Sequence, residues 1–129
     1  MPNQLKLLIL NASSAERRAI KATLDSLNVF TFIDAQDSQQ ALKLLKQHPV
    51  DIIITGINVG KIDGWRFSRM IRSGLLKTPK NTPILLIPPI YCERIAETTA
   101  RSYGIDAVLP FEHKDMLPQV LANVLSTHL

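Results

Sequence analysis

The sequence predicts an α/β three-layer sandwich, a five-stranded parallel sheet covered on both faces by five helices, and three observations lead to it. Short apolar runs alternate with segments of helical period along the whole length, as strands buried on both faces between crossover helices must. No internal repeat or low-complexity linker interrupts that alternation. With 129 residues, 46% of them hydrophobic and 20% charged, the chain is one domain's worth and lies outside the composition of disordered chains. A single domain over residues 1–129 is expected.

The first strand covers 5–10, apolar except for Lys6, and Ser13 or Ser14 caps the helix that follows. That helix places Ala19, Ile20, Thr23, Leu24 and Leu27 on one face. A second strand is expected over 29–33, then Asp37 as N-cap of a helix whose buried stripe is Ala41, Leu44 and Leu45. Residues 51–55 read as the third strand. The loop 56–63 leads into a helix carrying Phe67, Met70 and Ile71 at helical spacing, which ends near Gly74 before a connection containing Pro79 and Pro83. The fourth strand is expected over 84–87, and a helix over 92–103 stops at Gly104. A short fifth strand over 107–109 precedes Pro110, and a helix over 116–125 closes the fold. With right-handed crossovers, such a sheet binds its ligands at the carboxyl ends of the strands.

Composition excludes several function classes. Cys92 is the single cysteine, so an intramolecular disulfide and a cysteine-rich zinc cage are both excluded. The start of the chain lacks the basic, apolar and small-residue pattern of a signal peptide, and no apolar run approaches the ~18 residues of a membrane span. A soluble, cytoplasmic protein with no membrane partner is expected, with Met1-Pro2 as a natural amino terminus. The net charge of +4 draws a protein towards polyanions, but scattered surface lysines and arginines give the same number, and nucleic acid is the disfavoured partner.

Six segments follow one another in order: Asp34-Ala35-Gln36-Asp37-Ser38-Gln39-Gln40-Ala41-Leu42-Lys43-Leu44-Leu45, Pro49-Val50-Asp51-Ile52-Ile53-Ile54, Ile62-Asp63-Gly64, Thr82-Pro83-Ile84-Leu85-Leu86-Ile87, Tyr103-Gly104-Ile105-Asp106-Ala107 and Pro110-Phe111. Together, over nearly the entire chain, they resemble the receiver domain of bacterial two-component response regulators. The resemblance implies a flavodoxin-like sheet of order 2-1-3-4-5. It also implies a phosphorylation site: an acceptor aspartate ending the third strand, an acidic pair after the first to hold magnesium, a serine or threonine after the fourth, and a lysine after the fifth. Those positions read Gly56, then Asn11 and Ala12, then Pro88 or Pro89, then Leu109, Pro110 or Phe111; the aromatic switch position reads Val108. Glycine has no side chain to attack a phosphoryl group, and an amide and a methyl in place of two carboxylates leave no competent shell for a hard cation. The expectation is a degenerate pseudo-receiver of a phosphorelay, neither an enzyme nor a holder of any metal or other cofactor, acting by phosphorylation-independent contacts with proteins of a signalling pathway. A homodimer or a fused output domain is among the partners the resemblance allows, with Arg94, Arg101, Asp106 and Lys114 as rim contacts. The alternatives are a receiver that accepts phosphate on a displaced carboxylate, Asp63 or another, and a basic nucleic-acid-binding module; the place of Asp63 beside Gly64 favours a turn or helix-capping role over that of an acceptor.

Other constellations are weaker. The run 56–62 follows a strand and precedes a helix like a phosphate-cradling loop, but Thr55 and Ile62 stand where that motif needs a glycine and a metal-binding hydroxyl. Cys92 with His48 or His113 has no spacing that supports a thiol nucleophile. Two surface features are candidates for binding partners. Arg66, Arg69 and Arg72 recur every three residues and project with Trp65 away from the Phe67, Met70, Ile71 stripe, either as a binding patch or as a solvated face with Trp65 folded onto the domain's edge. The run Pro88, Pro89, Ile90, Tyr91 either collapses over an inert pocket or forms a docking surface.

Overall fold

Leu7, Leu8, Ile9 and Leu10 are all fully buried, so the first strand has no solvent face and the sheet grows outward from it on both sides. The computed structural model describes residues 4–127; Met1, Pro2 and Leu129 lie outside the described residues. β1 (Leu5–Leu10) pairs in parallel with β2 (Phe30–Ala35) on one side and with β3 (Ile52–Thr55) on the other. β3 pairs with β4 (Ile84–Leu86), and β4 with β5 (Ala107–Val108), giving the order β2-β1-β3-β4-β5. The strands are all parallel, and the direction in which they are added to the sheet reverses between β1 and β3, which opens a crevice at their carboxyl ends.

Alternate residues of each strand feed two cores, one per face, because side chains point to opposite faces at successive positions. Leu8, Leu10, Ile53, Ile84 and Leu86 pack with Leu45, Phe67, Ile71 and Ala96 on one face. Leu7, Ile9, Ile52, Ile54 and Leu85 pack with Ile20, Leu24, Leu117 and Leu121 on the other. The helices are α1 (Ser14–Asp25), α2 (Ser38–Gln47), α3 (Gly64–Arg72), α4 (Glu93–Ala100) and α5 (Leu117–Thr127). Ser13, Asp37 and Asp63 cap the first three, each side-chain oxygen accepting the backbone N–H three residues on.

Several boundaries differ from expectation. β2 begins at Phe30 and runs to Ala35, because Asp34 and Ala35 still register with Ile9 and Leu10. Leu27 lies past the end of α1 and is 42% exposed, the chain turning at Asn28, whose φ is 53°. The helix expected over 92–103 is three pieces: a 3-10 turn Ile90–Cys92, α4, and a second 3-10 turn Arg101–Tyr103 ended by Gly104 at φ 76°. A further 3-10 segment, Phe111–Met116, precedes α5, whose start at Leu117 admits Pro118 in the first turn, where its missing N–H costs nothing.

Candidate functional site

A cleft of about 320 Å³ opens at the carboxyl edge of the sheet, where β1 and β3 part. Asn11 and Ala12 follow β1 into it, Gly56 follows β3, Pro88 and Pro89 follow β4, and Phe111 closes the far side. Asn11 is 7% exposed and its amide is spoken for: Oδ1 accepts the Ser13 N–H at 2.8 Å, and Nδ2 donates to Glu16 Oε1 at 3.1 Å. The Arg17 guanidinium donates to the Asn11 carbonyl and also holds Asp34 Oδ2 at 3.2 Å, which Lys21 grips from the same helix at 3.0 Å. The carboxylate at the end of β2 is thereby turned towards α1 and neutralised.

Gly56 is buried, and its N–H donates to the Leu10 carbonyl at 2.9 Å. A Cβ there would lie 3.7 Å from Val59 Cγ1 and 3.8 Å from Asn11 Nδ2, ordinary contact distances, so the backbone does not demand glycine at this position. Gly64 is different. A Cβ on it would stand 2.0 Å from the Gly56 carbonyl oxygen, so α3 approaches the strand end closely only because Gly64 has none. The connecting loop is also tied to α2: Ser38 donates its N–H to the Val59 carbonyl at 2.7 Å, and its Oγ accepts the Ile62 N–H at 3.3 Å.

Among the described residues the carboxylates lining the cleft are Glu16 and Glu112. Asp63 is outside its lining; one oxygen caps α3 by accepting the Arg66 N–H at 2.8 Å, the other pairs with Arg66 Nε at 3.4 Å. Leu109, one of three positions open for the lysine, is 5% exposed and packs with Leu117 and Leu121 beneath the sheet rather than in the cleft. Phe111 does face the cleft, with Lys114 Nζ 4.9 Å from its ring centroid. Magnesium binds through carboxylates and water, and a committed neutral amide, a methyl group and a glycine do not fit it. Among the described residues no group of three His, Cys, Asp or Glu side chains is placed to hold a metal ion. Cys92 is half-buried, and His48 and His113 are exposed on other elements.

The two surface features come out differently from each other. Pro88 is buried and Pro89 lines the cleft, but Ile90 is 44% and Tyr91 84% exposed, so the loop does not collapse into the cavity. Ile95, four residues after Tyr91 in the sequence and 69% exposed, is a third exposed apolar side chain of this region and was missed in the sequence; its place off the face of the buried Ala96 and Ala100 on α4 was the available signal.

On α3 the three arginines part company, which corrects the single arginine face read from the spacing. Arg72 is drawn inward: its guanidinium donates to the carbonyls of Gly104 (2.8 Å), Lys80 (2.7 Å) and Thr82 (2.6 Å) and to Asp106 Oδ2 (2.8 Å). Its burial pushes the guanidinium pKa down, only partly offset by the Asp106 charge and hydrogen bond. Arg66 folds back onto Asp63 and the Lys61 carbonyl. Arg69 also stays on the surface but makes no ion pair among the described residues, its guanidinium carbon 4.7 Å from the Tyr103 ring centroid. Trp65 is half-buried and packs on the same tyrosine, with centroids 5.2 Å apart and planes at 52°, so it does fold onto the domain's edge. Tyr103 was not singled out in the sequence, because it lies 34 residues or more from its two neighbours on α3.

No helix of the described residues is long and apolar enough to cross a membrane. The fold is shared with the receiver domain of a sensor histidine kinase from Pseudomonas aeruginosa, whose structure has a magnesium ion coordinated in the active site cleft (18% identity, 95% of this chain and 98% of that one, TM-score 0.79). It is shared as well with a chemotaxis protein of Vibrio cholerae (22% identity, 94% and 98% covered, TM-score 0.81) and the signal receiver domain of an HD domain-containing protein of Pseudomonas fluorescens (19%, 97% and 97%, TM-score 0.82). In sequence, 127 residues are 26% identical to the "Probable transcriptional regulator ycf27" of Guillardia theta; this covers 95% of the present chain and 46% of that protein, so the chain spans about half the length of the curated relative it matches. Residues 7–121 match the response regulator receiver domain family, and the chain belongs to that family.

Proposed function

We propose that this response-regulator receiver works in two-component signalling as a pseudo-receiver. Residues 1–129 form one domain, located in the cytoplasm, that acts through phosphorylation-independent contacts with other proteins. The observation that carries the reading is Gly56: it follows β3 into the cleft, at the position where the family's acceptor carboxylate would stand, and a Cβ there would make only ordinary contacts, so nothing in the backbone demands glycine. Asn11 and Ala12 support it, since the cleft carries no acidic pair after β1. Receiver domains are in general signalling modules rather than enzymes, and with no carboxylate at the end of β3 and no acidic pair after β1 this one would catalyse no phosphoryl transfer to itself. The exposed apolar patch of Ile90, Tyr91 and Ile95 is the surface we assign to a protein partner.

The test is exposure to acetyl phosphate with magnesium, read by intact mass, together with an amide NMR spectrum with and without magnesium and beryllofluoride. The expected result is no phosphoryl adduct and no shifts around Asn11, Gly56 and Asp63. A stoichiometric adduct, on Asp63 or any other carboxylate, would overturn the reading.

A further inference from the structure

Three cations on the α3 edge have no carboxylate partner among the described residues: Lys61, Arg69 and Arg101 are absent from the four ion pairs found there. The nearby carboxylates are already engaged, Asp63 by Arg66 and Asp106 by Arg72, and α3 itself has no acidic residue from Gly64 to Arg72. Glu97, one turn before Arg101 on α4, makes no ion pair with it. The edge is therefore positive, and one of its cations is oriented. The Arg69 guanidinium lies over Tyr103, and Tyr103 is braced in turn by Trp65. A guanidinium held on an aromatic face has already lost much of its rotamer freedom, while its planar N–H fork stays open to accept a partner.

We propose that Arg69, with Arg66 one turn before it on α3, anchors an acidic segment of a protein partner on the edge between α3 and the turn Arg101–Tyr103. Charge complementarity selects an anionic occupant, and the fork matches a carboxylate bidentately. An acidic protein segment is favoured over nucleic acid because single-stranded binding needs open aromatic faces for bases. Here the Tyr103 ring is already in contact with both the Arg69 guanidinium and Trp65. The inference rests on the reading that this chain acts by contacts between proteins, and it names the chemistry of one partner at a surface distinct from the apolar patch.

The experiment titrates the full chain with a short blocked peptide of alternating aspartate and glutamate, and separately with a single-stranded oligonucleotide of equal length, at physiological salt. The variants are Arg69→Gln, Tyr103→Leu, and Arg18→Gln as a control of equal charge change on the exposed face of α1. Arg69→Gln is expected to weaken the peptide about tenfold, Tyr103→Leu about threefold through loss of orientation alone, and Arg18→Gln less than about twofold. Equal losses for Arg69→Gln and Arg18→Gln would reduce the effect to net charge and overturn the proposal. Tighter binding of the oligonucleotide, also lost in Arg69→Gln, would overturn it in favour of nucleic acid. The phosphorylation assay is independent of this one: an adduct with intact peptide binding defeats only the pseudo-receiver reading, and no adduct with no peptide binding defeats only this proposal.

Discussion

Arg72→Met is the substitution whose cost follows most directly from the structure. It keeps a flexible apolar stem of similar length but removes four donors' worth of contacts, to three backbone carbonyls and Asp106. Hydrogen bonds to a charged group contribute about 1.5–3 kcal/mol each in favourable cases, which would sum to far more than a domain can lose. Two facts reduce the figure. The Arg72 and Asp106 side chains are 21% and 25% exposed, so water replaces part of what is lost, and burial outweighs the attraction to Asp106 in its effect on the guanidinium. The larger share then lies in the carbonyls, which join the end of α3 to the loop before β4 and to the turn before β5. A cost of about 2–4 kcal/mol is expected, about 10 °C in Tm for a domain of this size. Urea denaturation of the wild type, Arg72→Met, Arg72→Lys and Asp106→Asn measures it. Arg72→Lys restores the charge without the fork, so it should recover less than half of the loss. Asp106→Asn keeps an acceptor for the Ile84 N–H and should cost about 1 kcal/mol. An Arg72→Met midpoint within about 0.5 kcal/mol of wild type, at unchanged m, would refute the reasoning.

Two other expectations use the same measurement. Gly64→Ala should cost about 3 kcal/mol or more, because its Cβ meets the backbone carbonyl of Gly56 rather than a side chain that can move, whereas Gly56→Ala should stay within about 1 kcal/mol; comparable losses at both positions would contradict the close approach of α3. Ile95→Glu should leave stability within about 0.5 kcal/mol, since the side chain is 69% exposed, and should weaken any partner that binds the apolar patch; a large loss of stability would mean that Ile95 is packed in solution.

Much of the fold was legible because each element carries its own local signal. Asp37 and Asp63 announce helix starts through a short side chain that can reach the third N–H onward, and the continuous apolar runs of β1 and β3 are what burial on both faces requires. Boundaries were less legible where pairing decides them: Asp34 and Ala35 look like a loop, and are strand because Ile9 and Leu10 stand beside them. The segment 92–103 has helical composition throughout, yet it breaks at Glu93 and again at Arg101 to bring Tyr103 back over α3.

The identity of the cleft residues was a matter of sequence alone. No packing can add a carboxylate to Gly56 or to Ala12, so the chemistry open to that crevice follows from residue type once the strand order places it at the carboxyl edge. The fates of the α3 arginines belonged to the tertiary structure. Helical phase places Arg66, Arg69 and Arg72 on one side, but it cannot distinguish a guanidinium that finds three carbonyls and a carboxylate from one that finds an aromatic ring. That difference depends on Gly104 and Tyr103, some thirty residues further along the chain, where a positive φ and the absence of a Cβ let Arg72 in. Arg69, a turn earlier on the helix, rests on the tyrosine ring and, among the described residues, is in no ion pair.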